Sequence, residues 1–343
     1  MKVFHSEDSL LHAPDFYFRR GRRIEHLERA ERYEVLHRAA KTAGHEMLAP
    51  ADFGTAPLQR VHSKRHIEFL ATAWARRDEI EPGLDYVLPS HFARAEMHRY
   101  PDGMIGRVGF HMADLSTPLY QHSFDAVRAS ANVALSTAEA VAADRGHAYG
   151  LCRPPGHHAS TESTGGFCFV NNAAVAAAHL QAKLGGKVAI IDIDVHHGNG
   201  TQIIFYDNPE VITASVHADP ATFMPYYLGY GDETGGQAAE GCNLNLPLTH
   251  GSDDAVWHKA IERTMRFCAD HGVSSLVVAL GLDASEHDPN GALGVTTQGF
   301  RKAGQMLAGA GLPTAIIQEG GYLSEILGEN LVAFLAGFDE ARR

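Results

Sequence analysis

Three apolar runs in this sequence end in side chains of the kinds that hold metal ions. KVAIIDID passes directly into VHHGNG, so Asp192, Asp194 and His196 alternate, and the latter two share one face of an extended chain. SLVVALGLD ends in Asp283, and PTAIIQ ends in Glu319-Gly320-Gly321-Tyr322. Upstream, RPPGHH sets His157 and His158 behind a stiff Pro-Pro turn. Two carboxylates and one imidazole make a mixed oxygen and nitrogen ligand set. Three protein ligands leave zinc an open position for water or substrate, which marks a catalytic site. The same donors suit manganese or ferrous iron, so residue type leaves the metal open. A single Asp-x-His is ordinarily a hydrogen-bonded strand end. Convergence of Asp, His, His-His and Tyr from several loops makes a hydrolytic metal site the better reading.

For those side chains to meet, the runs that carry them must lie side by side. KVAIIDID, VITASVH (211–217), SLVVALG (275–281) and PTAIIQEG (313–320) are short and β-branched, as strands buried on both faces of a parallel sheet are. Helical periodicity fills the intervals: 123–145, with Ser123 as N-cap and Gly146 as stop, the run VNNAAVAAAHLQAKL ending at Gly185-Gly186, and stretches near 253–271, 297–310 and 323–337. Strand and helix in alternation predict a doubly wound α/β sheet, whose ligands sit at the carboxyl ends of the strands. Before residue 122 the pattern is less regular. KVFHS reads as a first strand, IEHLERAERYEVLHRAAKTAG as an amphipathic helix stopped by Gly44, and 74–121 as a long segment without sustained period. A segment of that length inside a domain is usually functional or an interaction element.

Composition excludes several classes. With 45% hydrophobic and 20% charged residues the chain is ordinary globular material, and its length suits one α/β unit over 1–343. The net charge of −12 disfavours nucleic acid and would favour a cationic small substrate if the acidity gathers near a cleft. Cys152, Cys168, Cys242 and Cys268 form no C-x-x-C pair, which argues against a zinc ribbon or redox motif and for a reducing compartment. No apolar run reaches membrane-spanning length and the first residues lack a signal-peptide pattern, so the expectation is a cytoplasmic enzyme. Histidines number 22, so position alone can promote any of them to a ligand.

RPPGHHA, GGFCFVNNAAVAA, IDIDVHHGNGTQIIFY, LGLDASEHDP and QEGGY stand in the order and spacing of the histone deacetylase and acetylpolyamine amidohydrolase family, which this chain resembles over nearly its whole length. The resemblance implies an arginase-like α/β fold with a central eight-stranded, mostly parallel sheet flanked by helices. It implies zinc bound by Asp194, His196 and Asp283. It makes His158 the general base and later acid, His157 its electrostatic partner, and Tyr322 the donor to the developing oxyanion. Asp192 matches the carboxylate paired with the first histidine and Asn199 the partner of the second, where many eukaryotic members carry Asp. A neutral partner stabilises imidazolium less, so His158 is expected to be a weaker base. Structural potassium is implied at Asp192, Asp194, His196, Ser215 and Val216, and at a second site at Phe205, Asn208 and Val211, with Cys242 beside it.

The same resemblance implies an acyl tunnel with Phe167 on one wall and Met224 on the other, where Phe is usual, with Gly166 and Gly320 along it. Each apolar wall residue taken alone is more often core packing. The 74–121 segment, with its PDGMIG run, is similar to the insertion by which acetylpolyamine amidohydrolases dimerise and narrow their entrances. Asp102 falls on an acidic position of that loop; a second acidic position falls on Ala113, beside Asp114. An acidic entrance implies a small cationic acetylated amine as substrate and a homodimer or higher oligomer, with no nucleic acid or membrane partner. A lysine deacetylase or other small-amide amidohydrolase shares the chemistry. A dead scaffold is disfavoured because no ligand, histidine or tyrosine is missing, and a dimanganese enzyme would need further carboxylates.

Overall fold

The β-branched runs pair side by side in the computed structural model, which describes residues 1–97 and 99–342. In chain order the strands are β1 (Lys2–Phe4), β2 (Phe16–Arg19), β3 (Arg22–Glu25), β4 (Glu46–Leu48), β5 (His147–Gly150), β6 (Val188–Asp192), β7 (Val211–Ala218), β8 (Asn243–Leu248), β9 (Ser275–Leu280) and β10 (Thr314–Gln318). The helices are α1 (Glu31–Thr42), α2 (Lys64–Thr72), α3 (Met104–His111), α4 (Ser123–Asp144), α5 (Asn172–Leu184), α6 (Asn199–Phe205), α7 (Asp254–Asp270), α8 (Thr297–Ala308) and α9 (Leu327–Ala341). Eight strands form one sheet in the order β4-β1-β5-β10-β9-β6-β7-β8. Every pairing in it is parallel. This is the α/β sheet the sequence predicts.

Alternation along the strands decides which helices cover which face. Val188 and Ile190 of β6 join a core with α2, α4 and α5, whereas Ala189 and Ile191 join one with α1, α7, α8 and α9. All five residues of β6 are buried, as are all five of β10. A strand covered on both faces has no room for an in/out polar pattern, which is why these runs read as continuously apolar. Polar side chains can appear only where the strands end, and there they do. Among the described residues, no helix is long and apolar enough to cross a membrane.

Four local readings are corrected. The helix expected from Ile24 begins only at Glu31, because residues 16–25 form an antiparallel hairpin pairing Arg19 with Arg22 across Arg20-Gly21. Ser123 is the first residue of α4 and not its cap; its Oγ accepts from Tyr120 N and pairs with His12 Nδ1, both at 2.8 Å. Arg145, at φ 51°, ends α4 one residue before Gly146. Finally β8, NLNLPL, was not foreseen: Pro247 argues against a strand, but β8 is the sheet edge, where a missing N–H donor is tolerated. The 74–121 segment stays largely irregular, with α3 its one α-helix among the described residues.

Candidate active site

The chain beyond β6 folds back over its own carboxylates. Asp192 Oδ1 accepts from Asp194 N at 3.0 Å, and Asp194 Oδ1 from His196 N at 2.9 Å. Gly320 N, from the loop after β10, donates to Asp194 Oδ2 at 2.8 Å, and Val195 N, from the chain after β6, reaches across to Asp283 Oδ1 at 3.0 Å. Backbone amides thus fix each carboxylate, and the remaining lone pairs turn inward. His196 Nδ1 lies 3.1 Å from Asp194 Oδ1 and 3.2 Å from Asp283 Oδ2. The three residues offer ligand atoms within 4.8 Å of one another, all buried. A Cβ on Gly320 would stand 2.2 Å from Asp283 Oδ2 and 2.5 Å from Asp194 Oδ2, so the carboxylates require glycine at that position.

This trio is built for a cation. Asp283 Oδ2 is buried and accepts no hydrogen bond, an arrangement that costs free energy unless a positive centre sits against it. Burial, then the neighbouring Asp194 charge, pushes the Asp283 carboxyl up to about 6. Burial opposes a charged His196, but the Asp194 and Asp283 carboxylates beside its Nδ1 outweigh that and raise it to about 9. A group that binds a proton this readily marks a place where a metal ion would displace that proton. With one nitrogen and two carboxylate donors, the residues fit zinc, and equally manganese or ferrous iron.

The tandem histidines sit beside the trio in opposite environments. His157 Nδ1 contacts Asp192 Oδ2 at 2.9 Å, and its Nε2 lies 3.8 Å from Asp194 Oδ1. Burial works against its charge, yet Asp194 and Asp192 outweigh burial and hold it well above the usual imidazole range. His158 Nδ1 contacts Asn199 Oδ1 at 2.7 Å. Burial first, then the neighbouring His157 and His196, holds His158 well below the usual range. With the amide oxygen accepting from Nδ1–H, the unprotonated Nε2 of His158 is its free face, and His158 lines the cavity. The loop carrying both is tied to β10 by Glu319, whose Oε2 accepts from Gly156 N at 2.6 Å and His157 N at 3.0 Å. Asn171 caps α5 through Ala174 N at 2.9 Å and also donates to Ala159 O at 3.1 Å, a second tether on that loop.

Tyr322 closes the other side. Its amide donates to Asp288 Oδ2 at 2.6 Å, the Arg32 guanidinium lies 4.9 Å from its ring centre, and its ring meets Phe167 edge-on at 5.8 Å. Arg32 also donates to the carbonyls of Glu319 and Gly321 and pairs with buried Glu28 at 2.8 Å. Burial keeps the Tyr322 phenol well above its ordinary range, so it remains a donor. Gly321, at φ 115°, makes the turn that delivers this ring.

A cavity of about 270 Å³ leads to these groups, with His158, His196 and Tyr322 at its floor and Gly166, Phe167 and Met224 along it. A Cβ on Gly166 would meet His158 Cδ2 at 2.3 Å, so a glycine is needed for that ring to pack. Phe167 is a wall residue as expected of its position; Met224 shares the opposite side with Phe223, which stacks on His196 at 4.8 Å. Gly320 lies behind the carboxylates and not on the tunnel. Asp102 is corrected for the single chain: it is exposed before α3 and absent from the cavity lining, because the segment reaches the cavity only after α3 ends, at Asp114 and Ser116. Asp114 is structurally occupied, accepting from Ser116 N at 2.8 Å and Gly166 N at 2.7 Å.

The positions assigned to potassium fall in two places. Asp192 pairs in register with Ser215, followed by Val216. Phe205, Asn208 and Val211 share one turn, with Asn208 N donating to Phe205 O at 2.9 Å and Thr213 N to Cys242 O at 3.0 Å. The sequence reading missed Asn290, whose side chain is 3.4 Å from His196 Nε2, and the hairpin residues Tyr17, Phe18, Arg19 and Arg20, which line the mouth. Asn290 directly follows the LGLDASEHDP run and was in reach; the hairpin's only signal was three aromatic residues followed by arginines around Gly21.

The profile of the histone deacetylase domain matches residues 25–338. Acetylpolyamine amidohydrolase 2 of Pseudomonas aeruginosa is 37% identical over 346 residues, covering 100% of both chains. A crystal structure of acetylpolyamine aminohydrolase from Burkholderia pseudomallei superposes with a TM-score of 0.96 at 38% identity, covering 100% of both chains. The HD domain of HDA15 superposes at 0.80 with 28% identity, covering 100% of this chain and 90% of that one. The chain belongs to the histone deacetylase domain family, whose solved members share its eight-stranded sheet. It is a hydrolase of the deacetylase type.

Proposed function

We propose that this chain hydrolyses the acetyl amide of small acetylated amines, such as acetylputrescine, acetylcadaverine or acetylspermidine, to free amine and acetate. The observation that carries the reaction type is the pair of adjacent histidines in opposite charge environments beside a buried, cation-seeking Asp194–His196–Asp283 trio. Zinc held there supplies a Lewis acid that polarises the amide carbonyl and acidifies water. Neutral His158 takes the proton from water attacking the carbonyl carbon and returns one to the departing amine nitrogen. His157, kept positive by Asp194 and Asp192, sets a fixed positive charge at the floor without moving its proton. Tyr322 donates its O–H to the carbonyl oxygen as negative charge builds there.

The polyamine class rests on the full-length similarity to proteins bearing that name. The reading includes one catalytic unit over 1–343, an oligomer joined through about 74–121 that would bring Asp102 to a partner's entrance, a cytoplasmic location, structural potassium at the two turns, and no nucleic-acid or membrane partner. A lysine deacetylase or another small-amide amidohydrolase is the competing assignment. The test is kcat/KM for acetylputrescine, acetylspermidine and an acetyl-lysine peptide with zinc-loaded protein. Turnover of the acetylated amines at least tenfold above the peptide is expected; turnover of the peptide alone would overturn the substrate class.

A further inference from the structure

The two nitrogens of His196 have different surroundings. Its Nδ1 points between Asp194 Oδ1 and Asp283 Oδ2, at 3.1 and 3.2 Å, and Phe223 stacks on the ring at 4.8 Å. Nε2 lies at the opposite edge of the ring. Among the described residues it has one hydrogen-bonding neighbour, the side chain of Asn290, whose Nδ2 is 3.4 Å away. The Asn290 amide in turn makes no other hydrogen bond among the described residues. Both residues line the cavity that leads to the floor.

Asn290 is delivered to that place by a turn built on the site itself. Asp288 Oδ1 accepts from Asn290 N at 2.8 Å, while its Oδ2 accepts from Tyr322 N at 2.6 Å. One carboxylate therefore sets the backbone of Asn290 and of the tyrosine together. Gly291 N closes the turn onto Asp288 O at 3.1 Å. A Cβ on Gly291 would stand 2.6 Å from Asp283 O, so the turn packs directly on the backbone of a member of the trio and requires glycine there. The position of Asn290 is thus tied to Asp283 on one side and to the Tyr322 loop on the other.

A metal ion on Nδ1 needs that nitrogen's lone pair, which puts the imidazole proton on Nε2. An N–H of His196 then faces the amide of Asn290, and only the amide oxygen can accept it. The oxygen and nitrogen of an asparagine amide exchange places by a half-turn about Cβ–Cγ, which needs no movement of the backbone. We propose that Asn290 is a positioning residue of the metal centre: with Oδ1 turned toward His196 it accepts the Nε2–H, fixes the tautomer and the ring plane, and keeps the Nδ1 lone pair aimed at the ion. The inference rests on Asp194, His196 and Asp283 being the metal ligands. An outer partner of this kind makes a ligating imidazole more basic and holds its orientation. A neutral amide does so without adding a third negative charge to the two carboxylates already present.

The experiment measures the dissociation constant of zinc from the full chain by competition with a chelator, so no substrate enters it. N290L has no acceptor and is large enough to exclude a water that could stand in for one; it should bind zinc about 10–100-fold more weakly. N290D keeps an acceptor oxygen on a side chain of the same shape and should bind zinc as tightly as the native chain or more tightly. Native affinity in N290L, or an N290D weakened as N290L is, overturns the assignment and leaves Asn290 a residue of the cavity wall, whose replacement would be felt in KM. Failure of the native chain to bind zinc overturns the metal site itself, and the amidase reading with it.

Discussion

The floor of the cavity and its mouth are built on opposite principles. The floor is made of strand ends, where every carboxylate is buried and held by backbone amides of the loops after β6 and β10. The mouth is made of a hairpin and a long loop, with exposed arginines and a single carboxylate already engaged in local turns. In the floor a displaced oxygen leaves a buried charge unmatched; at the mouth water compensates for whatever is removed. Chemistry is therefore held rigidly and selectivity loosely, and the two should fail by different amounts and in different kinetic constants.

The largest expected effect is at the floor. Asp283→Ala removes a ligand and should abolish both bound zinc and turnover, read by metal analysis alongside activity; retention of stoichiometric zinc would remove Asp283 from the site. His158→Ala should keep zinc but lower kcat by about 10²–10⁴-fold, and Tyr322→Phe by about 10²–10³-fold, with KM little changed in each. A smaller loss than tenfold in either would strip that residue of its role. Behind the tunnel wall the consequence is stability. His62, His66 and His111 are buried and held near 3, 4 and 4, in each case first by burial. Because folding depresses these values, the unfolded chain binds more protons below the ordinary imidazole range of about 6.5, and stability falls as pH drops from there toward 4. Each would cost up to about 2 kcal/mol at pH 5, and denaturant melts of H66N should show a shallower pH dependence than the native chain. At the mouth, Asp114→Asn keeps the acceptor to Ser116 but weakens the hold on Gly166, and should raise KM severalfold with kcat nearly intact. A loss confined to kcat would mean that the wall and the floor are one unit.

How much the sequence disclosed follows the same division. The buried strands had to be continuously apolar, so they stood out, and the residues just past them had to be polar for a reason. That is why Asp194, His196, Asp283 and Tyr322 could be placed before any coordinate was known. Asp102 could not be placed in the same way, because whether a loop carboxylate reaches a cavity depends on where α3 lies, and no periodicity encodes that. The hairpin was absorbed into a helix because Ile24, Leu27 and Tyr33 keep a helical spacing across the boundary at Glu31. Phe223 lay next to the position matched to the wall, and only the stack on His196 distinguishes it from Met224.

The position of β10 has a bearing on how the protein comes into being. It is the last strand to be made, yet it lies in the middle of the sheet, hydrogen-bonded to β5 on one side and β9 on the other. Until Thr314–Gln318 leaves the ribosome, the sheet is two separate blocks with parallel edges facing each other across a gap. Such edges are prone to pair with other chains. Tyr322 follows four residues behind β10. The event that seals the sheet is thus also the one that brings in the oxyanion donor, and a nascent chain has neither a closed sheet nor a complete site before β10 and Tyr322 have been translated.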